Sequence, residues 1–201
     1  DFAEEYGLLQ MTLKKGLAKH ADLAKSAVRR ELTQLVEKNA WKPIRPQDIT
    51  PTLRRSCIRC FIFLKEKMNA EGIMTQLKGR LVCNGSQQDK AKIYDKSSPT
   101  VATENQFAIY AITASERRYC QSVDIEGAFL ESSIDGEALH VVIDGETAQL
   151  LRELYPEYKK FSNERGEIVV LLLKSLYGAV QSSSCWYKKL KEKLERKGFK
   201  R

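Results

Sequence analysis

Asp124 is the residue of this chain best placed to do chemistry. It lies in the stretch Ser122-Val123-Asp124-Ile125-Glu126-Gly127-Ala128-Phe129-Leu130, where an apolar-flanked carboxylate runs into a Gly-Ala turn and a bulky aromatic. A carboxylate at a strand end stays exposed while its neighbours are buried, and hard oxygen donors of that kind suit a divalent cation. Two-metal chemistry needs more than one such carboxylate, and no Asp-Asp pair occurs in the sequence. Glu126 has a plainer role open to it, as a negative charge near the start of a short helical turn over 126–131. Lys78 and Arg80 form a second constellation. Side chains alternate along a strand, so Gln76, Lys78, Arg80 and Val82 share one face while Leu77, Leu81 and Cys83 share the other. Two cations over an apolar backing could hold a triphosphate or a nucleic-acid backbone; a solvated polar face is the plain alternative.

Positioning these residues requires a particular run of elements. Residues 1–20 read as an irregular lead-in. Ala24, Ala27, Val28, Leu32, Leu35 and Val36 fall at helical spacing, which predicts a helix over 22–38 with Asp22 as its cap. Trp41-Lys42-Pro43 opens an extended connector that Pro46 and Pro51 keep irregular. Strands are expected over 55–67 and 73–84, joined by a five-residue loop. A loop follows over 85–100, then a helix of about a dozen residues opened by the capping box Thr103-x-x-Gln106. A strand over 119–125 then delivers Asp124. A short strand over 138–143, a short helix over 147–155 and a buried strand over 168–173 complete the middle. The last helix is expected over 182–197, with Trp186, Leu190 and Leu194 on one face and Gly198 as its C-cap.

The bulk numbers bound the function. The 201 residues carry 34 basic and 26 acidic side chains, a formal net charge of +8, which favours a polyanionic partner. No apolar run approaches bilayer length, so no membrane partner is expected. The first residues, Asp1-Phe2-Ala3-Glu4-Glu5-Tyr6, lack the basic-then-apolar pattern of a signal peptide. The absence of an initial Met is what a fragment or a processed product would show. Five cysteines at irregular spacing suggest free thiols in a reducing compartment. Cys57-x-x-Cys60 has half the spacing of a zinc site, but flanking Ile58, Phe61, Ile62 and Phe63 suit a buried strand better.

The order of motifs is then informative. Trp41 with Pro43, Phe63-Leu64-Lys65-Glu66-Lys67 with Gly72, Lys78-Gly79-Arg80-Leu81-Val82, Ser98-Pro99-Thr100, Val123-Asp124-Ile125 with Ala128-Phe129-Leu130, Leu176-Tyr177-Gly178 with Gln181-Ser182 and Trp186-Tyr187, and Gly198-Phe199 follow one another. This set resembles the reverse transcriptase domain of copia-type long-terminal-repeat retrotransposons over roughly residues 22–201. The resemblance implies an α+β fold, the fingers and partial palm of a right-hand polymerase, with an antiparallel sheet packed with helices. Residues 1–21 would be a lead-in from the preceding polyprotein. It implies an RNA-directed DNA polymerase using two divalent metals, Mg2+ or Mn2+. Asp124 would be the first catalytic aspartate and a metal ligand, joined by the backbone carbonyl of Ile125. Phe129 would crowd the sugar 2′ position and exclude ribonucleotides. Lys78 and Arg80 would lie over the triphosphate, and Gln181 would shape the nucleotide pocket. Lys174, Tyr177 and Gly178 belong to the same motif as Gln181, with Tyr177 open to a core role.

Implied partners are an RNA template, a DNA primer, deoxynucleoside triphosphates and the rest of the polyprotein, including integrase and ribonuclease H. The implied location is a cytoplasmic retrotransposon particle, with the nucleus as the alternative. The sequence departs from the family pattern at Ser183-Ser184, where Pro-Arg is common, at Asn84, where a second Arg is common, and at Ala179-Val180, where Leu-Lys is common. The Tyr-x-Asp-Asp hairpin of the family is expected after Gly198-Phe199, and the sequence reaches only Arg201. The chain is therefore expected to be a piece of a polymerase that does not polymerise alone. The alternative is a non-catalytic remnant that binds RNA or DNA electrostatically, with affinity falling as salt rises.

Overall fold

The computed structural model describes residues 10–93 and 95–199. A long hairpin organises the molecule. Strand β3 (Ile58–Met68) and strand β4 (Met74–Cys83) pair antiparallel, with Cys60 opposite Cys83 and Lys65 opposite Lys78. Alternation does what the sequence requires: Leu77, Leu81 and Cys83 are buried, while Gln76, Lys78, Arg80 and Val82 face outward. Helix α1 (Leu13–Glu37) lies across the buried face, with Ala24, Ala27, Val28, Leu32 and Leu35 in the core. It also covers the open edge of β4, which would otherwise present unpaired backbone groups. Arg30 Nη2 donates to the Leu77 carbonyl at 3.0 Å, and the Leu81 N–H donates to Glu31 Oε1 at 2.9 Å.

The first strand, β1 (Gln10–Thr12), pairs antiparallel with β3 through Gln10 opposite Lys65. This corrects the irregular lead-in: chain from residue 10 onward is strand and helix, and residues 1–9 lie outside the described residues. Helix α1 starts at Leu13, and its cap is Thr12, whose side chain accepts from the Lys15 N–H. The expected start at Asp22 coincides with a break at Ala21, whose φ of 27° and ψ of −98° leave the helical region. Strand β2 (Trp41–Pro43) follows, and the connector then winds into a short helix, α2 (Pro51–Ser56), capped by Thr50. Residues 55 and 56 are thus helical, and β3 begins only at Ile58.

Past the hairpin, helix α3 (Thr103–Ser115) has the expected length but not the expected cap. Ala102 is the N-cap, with no side-chain hydrogen bond. Strand β5 (His140–Ile143), helix α4 (Gly145–Leu154), strand β6 (Ile168–Leu172) and helix α5 (Ser182–Arg196) complete the chain. The six strands form one sheet in the order β1-β3-β5-β6-β2, with β4 on β3. Every pairing is antiparallel except β3 with β5, where Ile58 lies beside Val141. The fold is therefore α+β with an antiparallel-dominated sheet. Its core joins α1, the sheet and α4 through residues such as Leu64, Ile143, Leu151, Ile168 and Leu176.

Two expectations fail at the periphery. Residues 119–125 form no strand, and Tyr119 and Val123 are fully or largely exposed. Alternating apolar residues make a strand only beside a hydrogen-bonding neighbour, and no described strand pairs with this segment. In α5 the buried residues are Ser182, Ser184 and Cys185, while Leu194 is exposed. The helix packs by the small residues of its first turn, not by the Trp186–Leu194 stripe. Its end is as expected, since Gly198 at φ 87° follows the last turn and the Phe199 N–H donates to the Leu194 carbonyl.

Candidate functional site

The hairpin brings Lys78 and Arg80 to the same small cavity as Phe129. This cavity, of about 50 Å3, is lined by both cations, Phe129, Tyr177, Glu31 and Glu126 among others. Arg80 stacks its guanidinium over the Tyr177 ring, with Cζ 4.6 Å from the centroid. The same ring meets Phe129 edge-on, at 4.8 Å between centroids and 65° between planes. A cation, an aromatic face and a second aromatic therefore form one continuous stack, each contact being a favourable quadrupole arrangement. Tyr177 is half-buried and links the hairpin to the turn carrying Phe129.

Each partner of the stack is held by its own element. The turn Ala128–Glu131 is tied to the C-cap of α1 by the ion pair of Lys38 Nζ with Glu131 Oε1 at 2.6 Å, and to α5 by Lys189, which donates to the Glu131 carbonyl. Tyr177 is fixed by a close approach of two backbones. Its carbonyl accepts from the Cys83 N–H at 2.7 Å. At the next residue, Gly178 at φ 82°, a Cβ would sit 2.0 Å from the Cys83 carbonyl oxygen. Only glycine fits that contact and that dihedral. The end of β4 and the Tyr177 turn are thereby locked together.

The electrostatics of the cavity oppose two carboxylates to two cations. Burial pushes the Glu31 carboxyl above its usual range, against the Leu81 N–H and the nearby Arg80 and Lys78 charges, which pull it down. Lys78 and Arg80 also face a larger cleft of about 500 Å3 on the outer side of the hairpin, shared with Phe63, Lys65 and Lys67. On the same outer side of β3, Phe61 and Phe63 meet edge to face at 5.0 Å between centroids. That surface is basic with interleaved aromatic rings, the composition that tracks a single-stranded backbone and stacks its bases.

The remaining candidates stand apart from the stack. Asp124 lies in the exposed irregular segment and lines none of the cavities described here; Ile125, beside it, is 40% exposed. Among the described residues no group of three or more His, Cys, Asp or Glu side chains is arranged to hold a metal ion. Gln181 is buried at 6% exposure and belongs to a different cavity, of about 760 Å3, where Gln88 Nε2 donates to its Oε1 at 2.9 Å. Lys174 forms an isolated bridge with Ser133. Cys60 is buried, its thiol donates to the Val142 carbonyl at 3.2 Å, and burial holds it well above the usual thiol range. Sequence reasoning left Tyr177 undecided and missed Glu31 and Gln88. Glu31 borders the apolar stripe of α1, a weak signal that it sits at the rim of the core. Gln88, between Gln87 and Asp89 in a polar loop, carries no signal at all.

Comparison with known proteins follows the same residues. The family described as reverse transcriptase (RNA-dependent DNA polymerase) matches residues 49–201. The chain is 22% identical over 179 residues to the retrovirus-related Pol polyprotein from transposon RE2 of Arabidopsis thaliana, covering 89% of this chain and 11% of that protein. It is 23% identical over 176 residues to the corresponding polyprotein from transposon RE1 of the same plant, covering 87% of this chain and 11% of the relative. The chain thus spans about a tenth of the length of either relative. No solved structure matches the chain. On the ordered motifs and the family match together, this chain belongs to the reverse transcriptase (RNA-dependent DNA polymerase) family, in its copia-type branch.

Proposed function

We propose that this chain supplies the fingers and the N-terminal part of the palm of an RNA-directed DNA polymerase within a retrotransposon polyprotein. The observation that carries the reading is the convergence of Lys78, Arg80, Tyr177 and Phe129 from three separate stretches of sequence. Lys78 and Arg80 are the hairpin's candidates for the phosphates of an incoming nucleotide, as charge-assisted donors. Phe129, braced by Tyr177, is the candidate for excluding a 2′-hydroxyl by bulk. Gln181, whose oxygen is already engaged, has its NH2 group left to offer to the nucleotide.

Divalent cations, Mg2+ or Mn2+, belong to this reading. Asp124 and the Ile125 carbonyl are hard oxygen donors of the right chemistry, but two-metal chemistry needs more than one carboxylate. Asp124 therefore reads as one ligand of a site whose other carboxylates come from outside the described residues. When bound, such ions stabilise charge in phosphoryl transfer. The test is primer extension by a polymerase-length protein containing these residues, comparing wild type with Asp124→Ala at equal primer-template occupancy.

A second reading has one observation in its favour. The outer face of the hairpin, with Phe61, Phe63, Lys65, Lys67, Lys78 and Arg80, suits binding to RNA or DNA without any chemistry. Extension that is absent in the wild-type polymerase-length protein, beside salt-sensitive nucleic-acid binding, would favour that reading.

A further inference from the structure

We propose that Gln88 is a positioning residue that fixes the side-chain amide of Gln181 as a hydrogen-bond donor toward an oxygen of the bound nucleotide. The inference rests on the polymerase reading and deepens it. The loop after β4 is stapled at two consecutive residues. Gln87 Oε1 accepts from the Arg59 N–H at 2.8 Å, which ties the loop to β3. Gln88 reaches the turn before α5, where its Oε1 accepts from the Val180 N–H at 2.8 Å and its Nε2 donates to Gln181 Oε1 at 2.9 Å.

A backbone N–H can only donate, so the end of the Gln88 amide that meets Val180 must be its oxygen. The other end is then the NH2, and the atom it meets on Gln181 must be an oxygen. One obligate donor thus orients two side-chain amides in series. Gln181 is only 6% exposed, so water has little access to reverse it. What remains of its amide is Nε2, which meets no acceptor among the described residues, and Gln181 is among the residues that line the cavity of about 760 Å3. A donor in that position selects an acceptor, such as a sugar or phosphate oxygen of a nucleotide.

The deciding variant is Gln88→Glu in the polymerase-length protein. Its carboxylate still accepts from Val180, but it can only accept from Gln181 as well. The Gln181 amide must then turn and present its oxygen instead of its NH2. Primer extension should show KM for the deoxynucleoside triphosphate raised about tenfold, with kcat within about twofold and an unchanged melting temperature. Gln181→Ala should raise KM by as much, and the double variant should be no worse than Gln181→Ala alone. Gln88→Met, which releases both bonds without imposing a reversed amide, should give a smaller rise in KM. The inference is overturned if Gln88→Glu leaves KM unchanged while Gln181→Ala raises it. It is also overturned if both Gln88 variants lower kcat and melting temperature together with no change in KM, the mark of a purely structural role. A wild-type protein with no Asp124-dependent extension would instead fail the polymerase reading itself, and this inference would fall with it.

Discussion

At the scale of single residues, the site is a stack of unlike groups, each given its task by its neighbour. Phe129 has one edge against Tyr177, and the Tyr177 face is covered by Arg80. The Phe129 ring is thereby braced along one edge. Phe129→Ala in the polymerase-length protein is expected to raise ribonucleotide incorporation relative to deoxynucleotide by at least about tenfold. Competitive single-nucleotide extension measures this directly, and an unchanged ratio would remove Phe129 from the sugar position. The shared outward face of Lys78 and Arg80 was legible in the sequence because alternation along a strand is local, whereas Phe129 was singled out only by the family resemblance. Tyr177 was not legible, because its role comes from contacts with Arg80 and Phe129, which lie far from it in sequence. The Gln88 relay was invisible for the same reason, since it needs a loop and a turn 92 positions apart to meet.

At the scale of elements, the hairpin and helix α1 were readable from periodicity, and the failures mark where tertiary partners decide. The 119–125 segment has the alternation of a strand but, among the described residues, no strand beside it. The Thr103 capping box lost to Ala102 as N-cap, one residue earlier. The junction between β4 and the Tyr177 turn depends on Gly178, where any Cβ meets the Cys83 carbonyl oxygen and the backbone is left-handed. Gly178→Ala should therefore destabilise the fold by about 2–4 kcal/mol in urea unfolding, while Gly72→Ala, with open space around it, should cost clearly less. Helix α1 is tied to the hairpin by Glu66, which takes Lys19 Nζ at 2.9 Å and His20 Nε2 at 2.5 Å. Hydrogen bonds from Lys19 and His20 hold the Glu66 carboxyl below its ordinary value of 4.5. A carboxyl with a depressed folded-state pKa contributes stability above its unfolded value, and that contribution is lost as pH falls through the folded one. The stability gap between wild type and Glu66→Gln should accordingly be present at neutral pH and close on acidification below about pH 4.5. A gap independent of pH would show that the tether is not electrostatic.

At the scale of the whole molecule, one half is packed and the other is not. The core joins α1, α4 and the sheet, whereas α3 carries Phe107, Ile109, Tyr110 and Ile112, each more than half exposed, and Tyr119 and Val123 follow beyond it. Apolar surface of this extent drives association. The isolated 201-residue chain should therefore elute from size exclusion as concentration-dependent oligomers, and Phe107→Glu with Ile112→Lys should shift it toward monomer; a monomer at all concentrations would show that α3 folds back in solution. Asp124 sits beside this unpacked half, and the expected metal site is not assembled among the described residues. The central claim is that Asp124 is a catalytic carboxylate of a polymerase and that Lys78, Arg80 and Phe129 flank its nucleotide. The most direct test is Mg2+-dependent primer extension on an RNA template by the polymerase-length protein and its Asp124→Ala variant. The account predicts extension by the wild type and a loss of at least about a thousandfold in the variant, at unchanged primer-template affinity. Extension that survives Asp124→Ala would contradict it.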